Sequence, residues 1–219
     1  EELTQTMNVT WTNEFSFPYV DGLKSEHGQM MEQLRQMQLR LGALDSRIRA
    51  VEGLKHVLLT GENEGYLSAS QEVLTRLGWT VTPSRSNPTE LWLSRGDQID
   101  AIARIVRSPA TANRSEIAQL AESVIAFWDE YEIEPKGILI AQTWFSKPPT
   151  ERTEPDFTPA LQEFAGKKNL CLMSSIQLLA MYKDMEMSNS PVEETRKRML
   201  ETNGRLMGFS LDNSVSTPA

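Results

Sequence analysis

Gly137-Ile138-Leu139-Ile140-Ala141 is an unbroken apolar run. A run this short and this apolar, with no helical period, reads as a central strand covered on both faces. Reading outward from it recovers the rest of the domain. Upstream, Ser115 is placed to cap a helix running to about Tyr131, with Ile117, Leu120, Ala121, Val124, Ile125 and Trp128 on one face. Downstream, Ser146 to Pro159 is a proline-rich loop, and Thr158-Pro159 opens a second helix with proline at its first position. Leu170-Cys171-Leu172-Met173 is a further buried strand, and Ser175 is expected to cap a helix through Met185.

Further upstream the period changes. Ser68 or Ser70 can cap a helix through Leu77, with Gly78 as its stop. Three strands follow: Trp79 to Thr82, Glu90 to Leu93, and Ile99 to Arg107. Polar turns at Pro83–Pro88 and Arg95-Gly96-Asp97 separate them. The order is helix, three-strand meander, helix, strand, helix, strand, helix. It predicts an α/β domain over 57–207, a mixed sheet flanked by helices. A last helix is predicted over 191–203. Glu193 and Glu194 lie early, Lys197 and Arg198 late, and Gly204 just beyond its end. Residues 208–219 read as a disordered tail.

Residues 27–56 carry a different signal. Met30, Leu34, Met37, Leu41, Leu44, Ile48 and Val51 step by 4, 3, 4, 3, 4, 3, an unbroken heptad seam between polar faces. At ~1.5 Å per residue the segment makes a rod of ~45 Å. The narrow stripe favours a two-stranded coiled coil and a homodimer; a single amphipathic helix packed on its own domain is the alternative. Residues 1–26 are harder to read. Val9, Trp11, Phe15 and Phe17 alternate in part, as in a short strand or hairpin or the end of a preceding domain, before Pro18 and Asp21-Gly22. A tail ordered only by its aromatics is equally compatible. The chain starts with Glu1, as a fragment of a longer protein would.

Composition narrows the chemistry. The 219 residues hold 22 Lys and Arg against 30 Asp and Glu, a formal net charge of −8, which disfavours a strongly basic nucleic-acid binder. One cysteine excludes an intramolecular disulfide and a Cys-rich zinc site. Two histidines, His27 and His56, leave little for a histidine metal cluster. No apolar run reaches ~18 residues, so no membrane span is encoded. No phosphate-binding glycine loop is present. The expectation is a cytoplasmic protein with no cofactor. Cys171 reads as a buried small hydrophobe and His56 as a structural histidine.

Several stretches carry a resemblance through their order and spacing. They are Leu58-Leu59-Thr60-Gly61 with Gln71-Glu72-Val73-Leu74 and Leu77-Gly78-Trp79, then Phe127-Trp128-Asp129-Glu130-Tyr131 before Lys136 to Ile140. Next come Lys147-Pro148-Pro149 with Arg152 and Phe157-Thr158-Pro159, then Leu170-Cys171-Leu172 before Ser175 to Leu179, and Glu201-Thr202-Asn203-Gly204. Over about two thirds of its length the chain resembles bacterial restriction-endonuclease-like proteins, the PD-(D/E)xK nuclease fold. That resemblance implies an acidic residue at the start of the second strand and a Glu-x-Lys on the third, together holding Mg²⁺ and a water. Glu90 matches the first position. Ile105 and Arg107 fall where the glutamate and lysine belong; shifted by one, Arg104 takes the glutamate position. Isoleucine cannot ligate a metal, and arginine stays protonated and cannot act as a base.

The resemblance therefore implies a catalytically inactive domain. Glu90, Arg107 and Glu72 are its vestigial candidates, and the domain serves as an interaction or regulatory module. A divergent metal-dependent nuclease using Glu90, Asp100 or Glu72 with Arg107 is the alternative. Another is a non-catalytic nucleic-acid or nucleotide binder using Arg104, Arg107 and Arg114, with Lys147 and Arg152 nearby. The literal Glu134-Pro135-Lys136 sits before a strand with a proline in it, a poor setting for paired ligands. Trp144-Phe145 is either an exposed docking surface or buried packing.

Overall fold

A computed structural model describes residues 15, 17–152, 154–187 and 191–211. The chain divides into two units, Glu1–Val51 and Glu52–Ala219.

The second unit is built on a mixed six-stranded sheet in the order β1-β2-β3-β4-β5-β6. Strands β1 (Thr80–Pro83), β2 (Glu90–Ser94) and β3 (Ile99–Ser108) form the antiparallel meander. β4 (Lys136–Thr143), β5 (Leu170–Ser174) and β6 (Gly204–Arg205) continue it in parallel with β3. Every residue of β4 is buried, which is what its apolar run requires of a central strand.

Two helices cover one face. α3 (Arg114–Tyr131) follows β3, and α4 (Pro159–Lys167) follows β4. Ile117, Leu120, Ala121, Val124 and Phe127 of α3 join Leu161 and Ala165 of α4 over Ile102, Leu139, Ala141, Leu170 and Leu172. Here the expected face is corrected. Phe127 is buried, whereas Trp128 and Ile125 are about half exposed. The Phe127 ring meets Trp92 edge-on at 5.4 Å and Tyr131 at 4.5 Å, so aromatic packing turns the helix toward β2. Thr158 caps α4 as expected, its side chain accepting from the Leu161 amide.

On the opposite face lie α2 (Asn63–Arg76) and α5 (Ser175–Glu186), in contact with each other and with β3 and β4. α2 starts earlier than Ser68 or Ser70, capped by Glu62 with no side-chain bond. Burial of Tyr66, Ala69, Val73 and Leu74 on the sheet sets its extent and overrides the local capping preference of serine. Gly78 does end it, at φ +79°. Its amide donates to Thr75 O, and Trp79 N donates to Leu74 O, the paired bonds of a Schellman turn. For α5 the cap is Ser174 rather than Ser175, in a reciprocal box with Gln177. α3 likewise is capped by Asn113, not Ser115, and without a side-chain bond. α6 spans Val192–Glu201 behind Pro191, and Gly204, beyond its end as expected, begins β6.

α1 spans Pro18–Thr60. It is longer than the expected 27–56 because Pro18 suits a first-turn position and Asp21-Gly22 continues the helix. The proposed strand or hairpin residues Val9 and Trp11 lie outside the described residues. In the first unit Met30, Leu34, Met37, Leu41, Leu44 and Ile48 are all more than half exposed. In the second unit Leu54 and Leu58 are buried. No helix among the described residues is long and apolar enough to cross a membrane.

Candidate functional site

The site is set by one turn and one bulge. Arg95 and Asp100 clamp the β2–β3 hairpin: the Arg95 amide donates to Asp100 Oδ2 at 3.1 Å, Nε to the same oxygen at 3.0 Å, and Nη2 to Oδ1 at 2.9 Å. Ser94 pairs with Ile99, but Leu93 pairs with Ala101. Asp100 is thus the extra residue of a β-bulge, and the register beyond it moves by one. Without the bulge Glu90 would face Ala103. With it, Glu90 faces Arg104.

Strand alternation then puts Glu90 and Arg104 on the α3 face and Ile105 and Arg107 on the α2 and α5 face. The residue beside Glu90 is therefore Arg104, and not Ile105. Arg104 Nη1 donates to Glu90 Oε1 at 2.8 Å, Nε to Glu116 Oε2 at 2.9 Å, and Nη2 to Gln119 Oε1. Glu90 Oε1 also accepts from Ser123 Oγ at 2.8 Å and Asn87 Nδ2 at 3.2 Å. Glu90 is 2% exposed and Arg104 8%. This is a buried, charge-assisted network in which one guanidinium answers two carboxylates.

The donor set does not fit a divalent ion. Mg²⁺ needs an array of oxygens, and here a fixed cation already sits at hydrogen-bond distance from the Glu90 carboxylate. Glu116 shares the same guanidinium, and the expected partner acids Asp100 and Glu72 do not converge on the site. Asp100 is four residues along β3 from Arg104, about 13 Å at strand rise, and is held by Arg95. Glu72 lies on α2 and pairs with Arg76 Nη2 at 2.7 Å. Among the described residues no three His, Cys, Asp or Glu side chains are grouped to hold a metal.

Arg107 Nε donates to Gln142 Oε1 at 2.5 Å, and its guanidinium stacks 4.2 Å from the Phe145 ring. Gln142 in turn donates to the Val57 and Leu58 carbonyls at 3.2 and 3.1 Å. Arg114 stacks on Phe164 of α4 at 4.3 Å. Arg104 and Arg107 line one cavity of about 380 Å³, together with Tyr66, Leu67, Thr89 and Glu116; Arg114 does not. The cavity lies where β3 runs on past the first residue of β2, toward the carboxyl end of a parallel strand. The buried Tyr66 hydroxyl has no hydrogen bond of good geometry among the described residues, and burial raises its pKa.

The remaining candidates have structural settings. Lys136 is 8% exposed at the start of β4, with Nζ donating to Asn169 Oδ1 at 2.8 Å and Asn203 Oδ1 at 2.6 Å. Burial holds its ammonium below the usual lysine pKa. Glu134 is exposed, so the literal Glu-x-Lys does not face one site. Cys171 is buried in β5, and desolvation pushes its thiol up to about 12. His56 is exposed on α1. Trp144 is buried at φ +51°, which favours the packing reading of its loop, and Lys147 sits 5.0 Å from its ring. Arg152 Nε donates to the Lys147 carbonyl at 3.1 Å. Gln119, Ser123, Asn87 and Gln142 were not visible as site residues in the sequence. A glutamine closing an apolar strand is the one signal that marks Gln142.

These features define an α/β protein with a mixed sheet and a buried arginine-centred network at the start of β2. No family model, curated protein or solved structure matches the chain.

Proposed function

We propose that the second unit is a nuclease-like domain of restriction-endonuclease-like type that has lost catalysis and serves as an interaction or regulatory module. The module is cytoplasmic and homodimeric, joined through the seam of α1. One observation carries this reading: Arg104, a fixed cation, stands opposite Glu90 where a metal-dependent site needs a second oxygen donor. The element order supports the resemblance. A helix, an antiparallel three-strand meander, a helix and a parallel strand follow one another, with the two helices on opposite faces.

Mg²⁺ and Mn²⁺ titration by calorimetry, with a cleavage assay on single- and double-stranded DNA, tests it. The expected outcome is neither metal binding at the network nor cleavage. Tight metal binding with cleavage abolished by Glu90→Ala overturns it in favour of a divergent metal-dependent nuclease. For the dimer, light scattering is expected to give twice the chain mass, falling to one on Leu41→Asp, which forces a charge into the seam.

The cavity at the end of β3 favours a second reading. Arg107 and the Tyr66 hydroxyl on its wall suit a non-catalytic anion or nucleotide binder. Binding of that kind weakens steeply with salt and with Arg107→Ala. Salt-insensitive or absent binding removes it.

A further inference from the structure

We infer that the occupant of the exposed α1 seam is a second copy of this chain, lying parallel and in register. This rests on the homodimer reading above and adds orientation to it. With Pro18 as its first residue, the helix extends the heptad seam past Met30 by three further positions, His27, Leu23 and Val20. One set of heptad positions, a, holds Val20, His27, Leu34, Leu41 and Ile48; the other, d, holds Leu23, Met30, Met37, Leu44 and Val51. The seam covers 32 residues of helix, about 48 Å.

The rest of the helix surface is consistent with this face as the contact. The Arg35–Glu32 pair at 2.9 Å, the Ser46 bond to the Gly42 carbonyl, and the open space around Gly22, Gly28 and Gly42 all lie off the seam. Leu39 is the one large exposed hydrophobe on the outer side over 27–51, while Met31 flanks the stripe and widens it.

Charges flanking the seam complement a second copy. In a parallel pair, the position before each a residue faces the position five residues on in the partner. Arg40 then meets the partner copy's position 45, an aspartate, and Arg47 meets position 52, a glutamate. Gln33 meets glutamine, and no like charges confront. An antiparallel pair also matches opposite charges, Glu26 with Arg47 and Lys24 with Asp45, so charge selects a second copy without selecting its direction.

His27 selects the direction. In the parallel pair the two imidazoles share one layer, where a neutral ring can donate to its counterpart. In the antiparallel pair each imidazole is pressed against position 44, a leucine, so two layers bury a polar ring without a partner. A polar side chain at a single a position acts in this way to fix register.

Disulfide trapping in the full chain tests the inference. Cys171 is buried, so introduced thiols report alone. Leu23→Cys is expected to link to itself under mild oxidation, and a mixture of Leu23→Cys and Ile48→Cys to give peptides joining position 23 to position 48 only as a minor product. His27→Leu is expected to keep the dimer and to raise the 23-to-48 product about fivefold or more. A dimer that links 23 to 48 and not 23 to 23 overturns the parallel orientation and leaves self-association standing. A monomer by light scattering overturns both, and a trimer or tetramer overturns the two-stranded pair.

Discussion

Arg104→Met removes the guanidinium that answers Glu90. The carboxylate is left 2% exposed, with only Ser123 Oγ and the Asn87 amide beside it. Removing one member of a buried ion pair costs about 3–5 kcal/mol, because the remaining charge keeps its desolvation penalty and loses its compensation. Glu116 adds little to this, since it is about one-third exposed and turns to water. At ~2–4 °C per kcal/mol for a domain of this size, the melting temperature falls by about 6–20 °C. Glu90→Leu with Arg104→Met together replaces the pair by apolar side chains and recovers most of the loss. Urea unfolding of both single variants and the double variant closes the cycle and isolates the coupling. The reasoning is refuted if Arg104→Met costs under ~1 kcal/mol, or if the two substitutions are simply additive.

Three further outcomes are expected. Arg104→Glu places two carboxylates at directly opposed positions on β2 and β3, where Cβ atoms stand about 4.5–5.5 Å apart. That variant is expected to be destabilised in chelator and stabilised by millimolar Mn²⁺ in thermal melts, while the parent is unchanged; no response to the ion counts against a lapsed metal site. Lys136 has a folded-state pKa below its unfolded value, so the unfolded chain binds more protons between the two, and its contribution to stability rises with pH through that window. Comparing the parent with Lys136→Met over alkaline pH should show the parent gaining stability relative to the variant; parallel curves remove the idea. Cys171, with its thiol pushed up to about 12, is expected to resist alkylation at pH 8 in the native protein and to react fully in urea, and mass spectrometry reads both.

The fold was legible where period and covalent geometry decide. The Gly137–Ala141 run, the meander and the Gly78 stop all follow from residues that tolerate few alternatives. Helix starts were less legible. Ser68, Ser115 and Ser175 are each good caps, yet α2, α3 and α5 start elsewhere, because burial of Tyr66, Ile117 and Leu178 fixes how far each helix runs. β6 has only two residues and carries no alternation to read. At the site, the residue types were visible and their faces were not. A bulge at Asp100 shifts every later position on β3, and no periodicity in Ile99–Ser108 announces it.

That bulge ties the proposed loss of catalysis to the hairpin. The Arg95–Asp100 clamp holds the extra residue, the extra residue brings Arg104 opposite Glu90, and Arg104 neutralises an acid that would otherwise be buried alone. A metal-dependent site is stabilised by its ion, since carboxylates that converge on it repel one another when it leaves. On the proposed reading a permanent cation in that position removes the dependence, and the pair anchors α3, Glu90 through Ser123 and Arg104 through Gln119. On this reading Asp100→Ala should act on the site from a distance. Loss of the clamp loosens the bulge and the register beyond it, so Asp100→Ala and Arg104→Met should be coupled in stability, although about 13 Å of strand separates them. Strict additivity of the two would mean that the hairpin and the ion pair are independent.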